Sequence, residues 1–416
     1  AGVSISDDRT FALAAPCWDN YNSITDDGYV VVYQDTSVLG DWTEHRVVRI
    51  RPPYDPLYQP LRRYGSSVAI DGPTLIVGAP YLSCDEGLRC GALYELTDTS
   101  ASGDWSDLEQ VEVQATDAPA NAEFGWSVAL TQNELLVSAP ADDEAAPNAG
   151  AVHVLDRDSP WVQRWKMTPE GVGDTALIIF GRRMASDGKT LVVCATGYES
   201  GREVQFFQRE RGMWQLRNRV KLDDFPYDTV IDGRHAFAGL PSHDDCNRVV
   251  HLRDTSIRGD WTSVEAVDLV PSLGGCDDGF GRALTLQGRE LFVGVPYSDN
   301  GSSHAGMVVV VRDTSSDGDW SETAEEILNQ ASPPTYWGLF GMALDVSGDT
   351  LAVGAPGESS ASNLGSVSLF RRNPTSPSGW AEVFQTTPYW VDPGDEYGCS
   401  VAVDDSGQVV VGARYA

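Results

Sequence analysis

FGMALDVSGDTLAVGAP, residues 340–356, is the stretch from which the fold can be read. An aromatic residue and a glycine, Phe340-Gly341, open it. A short alternating segment then runs to the polar turn Ser347-Gly348-Asp349, and a second segment ends on Gly354-Ala355-Pro356. The same unit returns as Tyr64-Gly65…Gly78-Ala79-Pro80 and Phe124-Gly125…Ser138-Ala139-Pro140. Weaker copies are Phe180-Gly181…Cys194-Ala195-Thr196 and Phe280-Gly281…Gly294-Val295-Pro296. A fifth unit keeps only its second half, Gly239-Leu240-Pro241. The chain opens on Gly2…Ala14-Ala15-Pro16 and closes on Tyr397-Gly398…Gly412-Ala413-Arg414. The period is about 55–60 residues, within reach of known repeat architectures.

Each triplet is followed by a polar loop and a third apolar segment, such as Gly28-Tyr29-Val30-Val31-Val32-Tyr33 or Gly150-Ala151-Val152-His153-Val154-Leu155. Next comes a turn of the form Asp35-Thr36-Ser37…Gly40-Asp41-Trp42, with counterparts at Trp105, Trp261 and Trp320. Trp165, Trp214 and Trp380 take the same place without the Asp. Four short strands per unit, alternating and at hairpin spacing, make one antiparallel sheet. Such a sheet cannot bury both faces alone, so successive sheets are expected to stack as the blades of an all-β propeller. The chain then reads as one propeller domain, 1–416. Its blades fall at 1–63, 64–123, 124–179, 180–224, 225–279, 280–339 and 340–396, with a partial eighth at 397–416. The ring has seven or eight blades on this reading. Glycine after the aromatic allows a crowded inner strand, proline ends the ladder, and the tryptophan is expected to cover the blade's outer edge.

In these residues the chain resembles the FG-GAP repeat family, known from the head propeller of integrin α subunits, over essentially its whole length. The resemblance implies an extracellular, secreted or cell-surface module that serves in adhesion or as a structural part of a larger assembly. In integrin-type repeats an Asp-rich loop between the first two strands wraps Ca2+. Here the corresponding turns, Asp71-Gly72, Gln132-Asn133, Asp187-Gly188, Asp232-Gly233 and Ser347-Gly348-Asp349, are short and lack that pattern. No cofactor is therefore expected, and Ca2+ stays a candidate only at acidic loops after the second strand. These are Asp26-Asp27, Asp142-Asp143-Glu144 and Asp244-Asp245. Some FG-GAP-like propellers hold glycans between blades over aromatic side chains, which makes Trp18, Trp126, Trp337 and Trp390 candidates for an alternative, carbohydrate-binding role.

Composition narrows the partners. Of 416 residues 41% are hydrophobic, enough for a large core, and the 41 glycines and 23 prolines suit many tight turns. Acidic residues number 61 against 29 basic, a net charge of −32, which excludes nucleic acid and disfavours anionic membrane. No apolar run approaches the length of about eighteen residues that a bilayer span needs. Ala1-Gly2-Val3-Ser4 shows no leader features, so a secretory leader is expected to be already absent. The 7 cysteines suggest three bridges in an oxidising compartment: Cys84–Cys90 within one loop, Cys246–Cys276, and Cys17–Cys399 stapling the ends. Asn300-Gly301-Ser302 is a glycosylation sequon in a loop.

His45, His153, His235, His243, His251 and His304 fall at no metal-ligand spacing, and no nucleophile elbow, phosphate loop or dinucleotide fingerprint occurs in a workable context. The expectation is that the chain is not an enzyme. Arg258-Gly259-Asp260 spells an adhesive tripeptide, but Gly259-Asp260-Trp261 is the repeat's own turn.

Overall fold

A computed structural model describes residues 3–5, 10–15, 29–35, 45–50, 64–71, 73–83, 89–131, 133–157, 159, 161–169, 178–197, 201–241, 247–270, 272, 277–330, 336–357, 364–387, 397–399, 401–403 and 409–411. Among them there are seven four-stranded sheets, one two-stranded sheet and no helix. The sheets cover 3–50, 67–113, 128–167, 178–222, 228–269, 284–328, 343–386 and 401–411, and are numbered as blades one to eight. In every sheet, neighbouring strands are consecutive in the chain. The fold is thus all-β, and the sheets are propeller blades with a half-length eighth.

The chain divides into two compact units: Ala1–Met184 with Val193–Glu203 and Arg414–Ala416, and Ala185–Val192 with Val204–Ala413. Blades one to three lie in the first unit and blades five to eight in the second, with the strands of blade four shared. Within the first unit the first strands of blades one, two and three lie against one another in succession. Within the second unit those of blades five to eight do the same.

Stacking changes which strands are amphipathic. The second strands Glu134–Ala139, Glu290–Val295 and Thr350–Ala355 are buried at every position. Alternation survives only outward, as on the fourth strand Leu108–Val113, where exposed and half-buried residues mix. A strand with a sheet on each face reads as a continuous apolar run.

Glycine makes the close stacking feasible. A Cβ on Gly78 of blade two would lie 2.1 Å from the carbonyl oxygen of Gly125 in blade three. The same distance is 1.9 Å from Gly239 to Gly281, 2.0 Å from Gly294 to Gly341 and 1.9 Å from Gly354 to Gly398. The first glycine of each pair is the penultimate residue of a second strand, and the other follows the aromatic of the next blade. Gly341 has φ 90°, a conformation that only glycine adopts freely, and its N–H donates to Gly354 O at 3.1 Å within its own blade. The motif aromatics Tyr64, Phe124, Phe180, Phe280, Phe340 and Tyr397 are all buried.

The tryptophans correct one expectation. They are wedged between blades rather than laid over an outer edge. Trp261 stacks on Phe206 of the preceding blade (ring centroids 4.3 Å, 10°), Trp320 meets Phe237 edge-on at 4.8 Å, and Trp380 meets Phe292 at 5.5 Å. The turn that delivers them is hydrogen-bonded alike in blades two, five and six. Asp98, Asp254 and Asp313 accept the N–H two residues on, from Ser100, Ser256 and Ser315. The hydroxyls of those serines accept the N–H of Asp104, Asp260 and Asp319. In blade three the wedge is Trp161, not Trp165. The turn there is shorter (156 to 161, against 98 to 105), and Trp161 joins Ile76, Phe124 and Leu155 in the core while Trp165 is half-buried on the fourth strand. Asp260 of the Arg-Gly-Asp sequence is engaged in this turn, with its Oδ1 accepting from the Thr262 hydroxyl at 2.6 Å.

The hairpins between first and second strands close at Asp232↔His235, Gln287↔Glu290 and Ser347↔Thr350, two-residue turns with Gly233, Gly288 and Gly348 at φ 56–58°. Turns this short cannot supply six to eight oxygens to a calcium ion. Among the cysteines, Cys90 is disulfide-bonded and Cys194 is a buried thiol. Cys399 is half-buried just after Gly398, and its expected partner Cys17 is not among the described residues. Cys17, Cys84, Cys246 and Cys276 lie outside the described residues.

Carboxylates on first strands tie blades together in the second unit. Asp228 accepts Leu284 N–H (2.9 Å), and Asp345 accepts Val403 N–H (2.6 Å) and the Thr285 hydroxyl (3.2 Å). Burial pushes Asp345 up to about 6 against the pull of those hydrogen bonds.

Two outcomes follow. Gly294→Ala, at a site with ordinary φ, should lose roughly 1–3 kcal/mol through steric conflict alone. Gly288→Ala, in open space at φ 58°, should lose only about 1 kcal/mol of backbone strain. Chemical denaturation of both variants checks this. For Asp345 the folded state holds the proton more tightly than the unfolded chain, so its contribution is full below pH ~4 and is lost as pH rises towards 6. The stability difference between the protein and Asp345→Asn should therefore change by up to about 1.4 kcal/mol per pH unit in that window and be flat above it, by denaturation at stepped pH.

Candidate functional site

The loops after the second strands are built on one plan in blades three and six. Asp142 N–H and Ser298 N–H donate back to Ala139 O and Val295 O, and Gly150 N–H and Gly306 N–H close the loops on Asp142 O and Ser298 O. The second loop residue, Asp143 or Asp299, accepts the N–H of Asn148 (2.6 Å) or His304 (2.9 Å) with its Oδ1. Asn148 and His304 both sit at positive φ, 51° and 52°. Acid in these loops therefore has a conformational cause: a short carboxylate satisfies a backbone donor that the left-handed residue exposes.

In blade six the loop carries an aromatic shelf. The His304 ring stacks on Trp337 at 4.3 Å and 9°, Tyr297 meets His304 at 6.1 Å, and Tyr336 meets Trp337 at 6.3 Å. Trp337 is 45% exposed and Tyr336 60%. The segment is zipped to the loop by Trp337 N–H to Ser303 O, Leu339 N–H to His304 O and Phe340 N–H to Ala305 O, at 2.8–3.0 Å. Trp337 has φ 58° where blade three places Asn121 at φ 65°. Asparagine tolerates that region, whereas tryptophan there costs on the order of 1 kcal/mol. The wedge tryptophans with positive φ recover such strain by burial; Trp337 is half in solvent. A strained, exposed aromatic on a segment held by three backbone hydrogen bonds marks a surface shaped for contact.

In blade three the corresponding loop covers a charged cluster. Asp142 and His153 are fully buried and the Lys166 side chain is 6% exposed. Lys166 Nζ lies 2.7 Å from Asp142 Oδ2 and 2.6 Å from a carboxylate oxygen of the exposed Glu144. His153 Nδ1 faces Gln163 Oε1 at 3.1 Å and Asp117 at 3.4 Å, and its Nε2 faces Asp142 Oδ2 at 3.8 Å. Burial holds His153 below the ordinary histidine range. For Lys166 burial opposes the ammonium, but the carboxylates of Asp142 and Glu144 outweigh it and hold the amine above its ordinary value.

Of the residues singled out in the sequence, the structure places Asp142, Asp143 and Glu144 in this loop as an ion-pair partner, a turn cap and an exposed acid rather than as three ligands of one ion. Trp126 is half-buried, with Tyr81 at 6.5 Å and Arg182 over its ring at 5.9 Å. Trp337 stands exposed in the shelf. Asn300 lies half-buried in the blade-six loop, its Nδ2 donating to Asn329 Oδ1 at 2.7 Å. Asp26, Asp27, Asp244, Asp245, Trp18 and Trp390 lie outside the described residues. Sequence spacing missed the pair His235–His251, in which Nδ1 and Nε2 are 3.0 Å apart with the rings inclined by 19°. That near-coplanar geometry is an N–H···N hydrogen bond, and among the described residues no three His, Cys, Asp or Glu side chains gather as a metal set.

Residues 108–155, from the fourth strand of blade two through the third strand of blade three, match the FG-GAP repeat, so the chain carries that repeat. No curated protein sequence is significantly similar to the chain. Among solved structures, a protein from Bacteroides uniformis provisionally assigned as a 6-phosphogluconolactonase is 13% identical. It superposes at a TM-score of 0.56, covering 97% of this chain and 99% of that one. A second protein so assigned, from Bacteroides fragilis, is 12% identical, with a TM-score of 0.55 and coverage of 97% and 98%. These likenesses correct the expectation that the chain is not an enzyme. It rested on missing motifs, and the same fold carries proteins provisionally assigned to an enzymatic activity. At such identity the likeness establishes the fold and transfers no activity.

The shared loop plan is testable. Asp299→Ala should lose about 1 kcal/mol by leaving the His304 N–H without its acceptor, and Asp299→Asn, which keeps an oxygen there, should retain most of it, by thermal melting.

Proposed function

We propose that the chain is an extracellular interaction propeller that contacts its partner, a protein of a cell surface or extracellular assembly, through the aromatic shelf Tyr336–Trp337–His304. The shelf carries this reading: two large aromatics stay exposed, one of them, Trp337, at a backbone conformation that costs energy, and tryptophan and tyrosine dominate contact energies at interfaces. The FG-GAP repeat and propeller fold support an interaction role. A bonded Cys90 and a net charge of −32 fit a secreted or surface setting. A second reading, carbohydrate binding, draws on the same shelf, since a flat ring pair can take the apolar face of a sugar.

Arrays of extracellular proteins and of glycans, probed with the intact chain and with Trp337→Ala, separate the two. The first reading expects protein hits that weaken at least about tenfold in Trp337→Ala, the loss of one hot-spot contact, and persist in Trp126→Ala. Glycan hits abolished by Trp337→Ala would establish the second. Binding of either kind that ignores Trp337 would remove the shelf from both.

A further inference from the structure

The buried cluster of blade three is not something the fold requires. By register, His153 pairs with Lys166 where blade six pairs Val309 with Ile327, and Asp142 stands where blade six has Ser298. Blade six closes the same loop over the same hairpin with an apolar pair. Blade three instead buries an amine, a carboxyl and an imidazole, each of which is costly to desolvate.

Their arrangement is that of an acyl-transfer site. The Asp142 main chain is fixed at both ends by Ala139 O and Gly150 N–H, and its Oδ1 accepts the Glu144 N–H at 2.9 Å. Its other oxygen, Oδ2, has Lys166 Nζ 2.7 Å away yet receives no normally directed hydrogen bond. His153 Nε2, fully buried, likewise has no hydrogen-bond partner among the described residues and faces that oxygen at 3.8 Å. Gln163 Oε1 at Nδ1 selects the tautomer with its proton on Nδ1, leaving the Nε2 lone pair towards Asp142. Gln163 is itself held by Asp117, to which its Nε2 donates at 2.7 Å, and Phe124 closes the ring's edge at 5.1 Å.

We propose that Lys166 and Asp142 become joined by an intramolecular isopeptide bond that cross-links the second-strand loop of blade three to its fourth strand. Proton transfer within the ion pair turns ammonium and carboxylate into amine and carboxylic acid, the forms between which the bond can form. Nζ adds to Cγ, and the charge that develops on Oδ1 is met by the Glu144 N–H. The addition product passes a proton from nitrogen to His153 Nε2, which returns it to the departing Oδ2 hydroxyl. One N–C bond forms, one C–O bond breaks, and one water leaves. No oxidant or other reactant is needed. Because Lys166 rests mainly as the ammonium, the reaction is slow and proceeds in the folded protein, where the two groups are held in contact.

Mass spectrometry of the reduced, intact chain reads the result. The expected mass is about 18 Da below the sequence mass, the loss of one water in forming the covalent bond, and this deficit is absent from Lys166→Arg and Asp142→Ala. Loss of water by an aspartyl succinimide would give the same intact mass, so the tryptic map decides. A branched peptide linking the segment that contains Asp142 to an uncleaved Lys166 is the supporting result. A full intact mass, or normal cleavage after Lys166 in folded, aged protein, overturns the proposal. His153→Gln, which keeps the folded hairpin but removes the proton carrier, should slow appearance of the branched peptide at least tenfold. An unchanged rate would remove His153 from the mechanism.

Discussion

Glycines of one sheet meet carbonyl oxygens of the next too closely to leave room for any side chain. At Gly78, Gly239, Gly294 and Gly354, one residue before the ends of their second strands, the following blade puts a main-chain oxygen within about 2 Å of where any side chain would begin. Each such oxygen belongs to the glycine after the motif aromatic, and that glycine's positive φ turns the chain into its own first strand. The two glycines of the repeat are thus halves of one contact made between neighbours. Much else follows from that spacing. With sheets this close at their inner strands, second strands become buried on both faces, and the apolar faces meet as the clusters around Phe124, Phe237 and Phe292. Next to these clusters the turn tryptophans Trp261, Trp320 and Trp380 meet aromatic rings of the preceding blade.

This contact explains why the fold was legible in the sequence. Aromatic-Gly and Gly-Ala-Pro recur because backbone spacing admits little else, so a reader who finds the repeat has found the stacking. Legibility falls where several side chains can meet one need. Trp165 was read as blade three's counterpart of the turn tryptophans because it lies at a plausible distance from the third strand; the shorter turn gives that place to Trp161. The alternation expected of half-exposed sheets was also too simple, since a blade between two blades has no solvent face on its inner strands.

The sites were less legible because they depend on exceptions to the repeat. Trp337 was visible as a tryptophan outside the turn, but its left-handed backbone and its stacking on His304 come from main-chain contacts between loops of two blades. The acids of Asp142-Asp143-Glu144 looked like one cation-binding set. Geometry divides them, since Asp143 caps a turn and Asp142 faces the amine of Lys166, 24 residues further along the chain (166 − 142). His153 and Lys166 show in the sequence only as polar residues on strands, and their significance emerges when register sets them beside the Val309–Ile327 pair of blade six.

Amide hydrogen exchange, resolved by strand, tests the account of the fold most directly. If glycine contacts hold successive blades at their inner strands, then amides of the second strands Glu134–Ala139, Glu290–Val295 and Thr350–Ala355 exchange slowest. Those of the fourth strands Leu108–Val113 and Val264–Leu269 exchange fastest among the strands, in every blade alike. Uniform protection across each sheet, or second strands that exchange as readily as fourth strands, would contradict it.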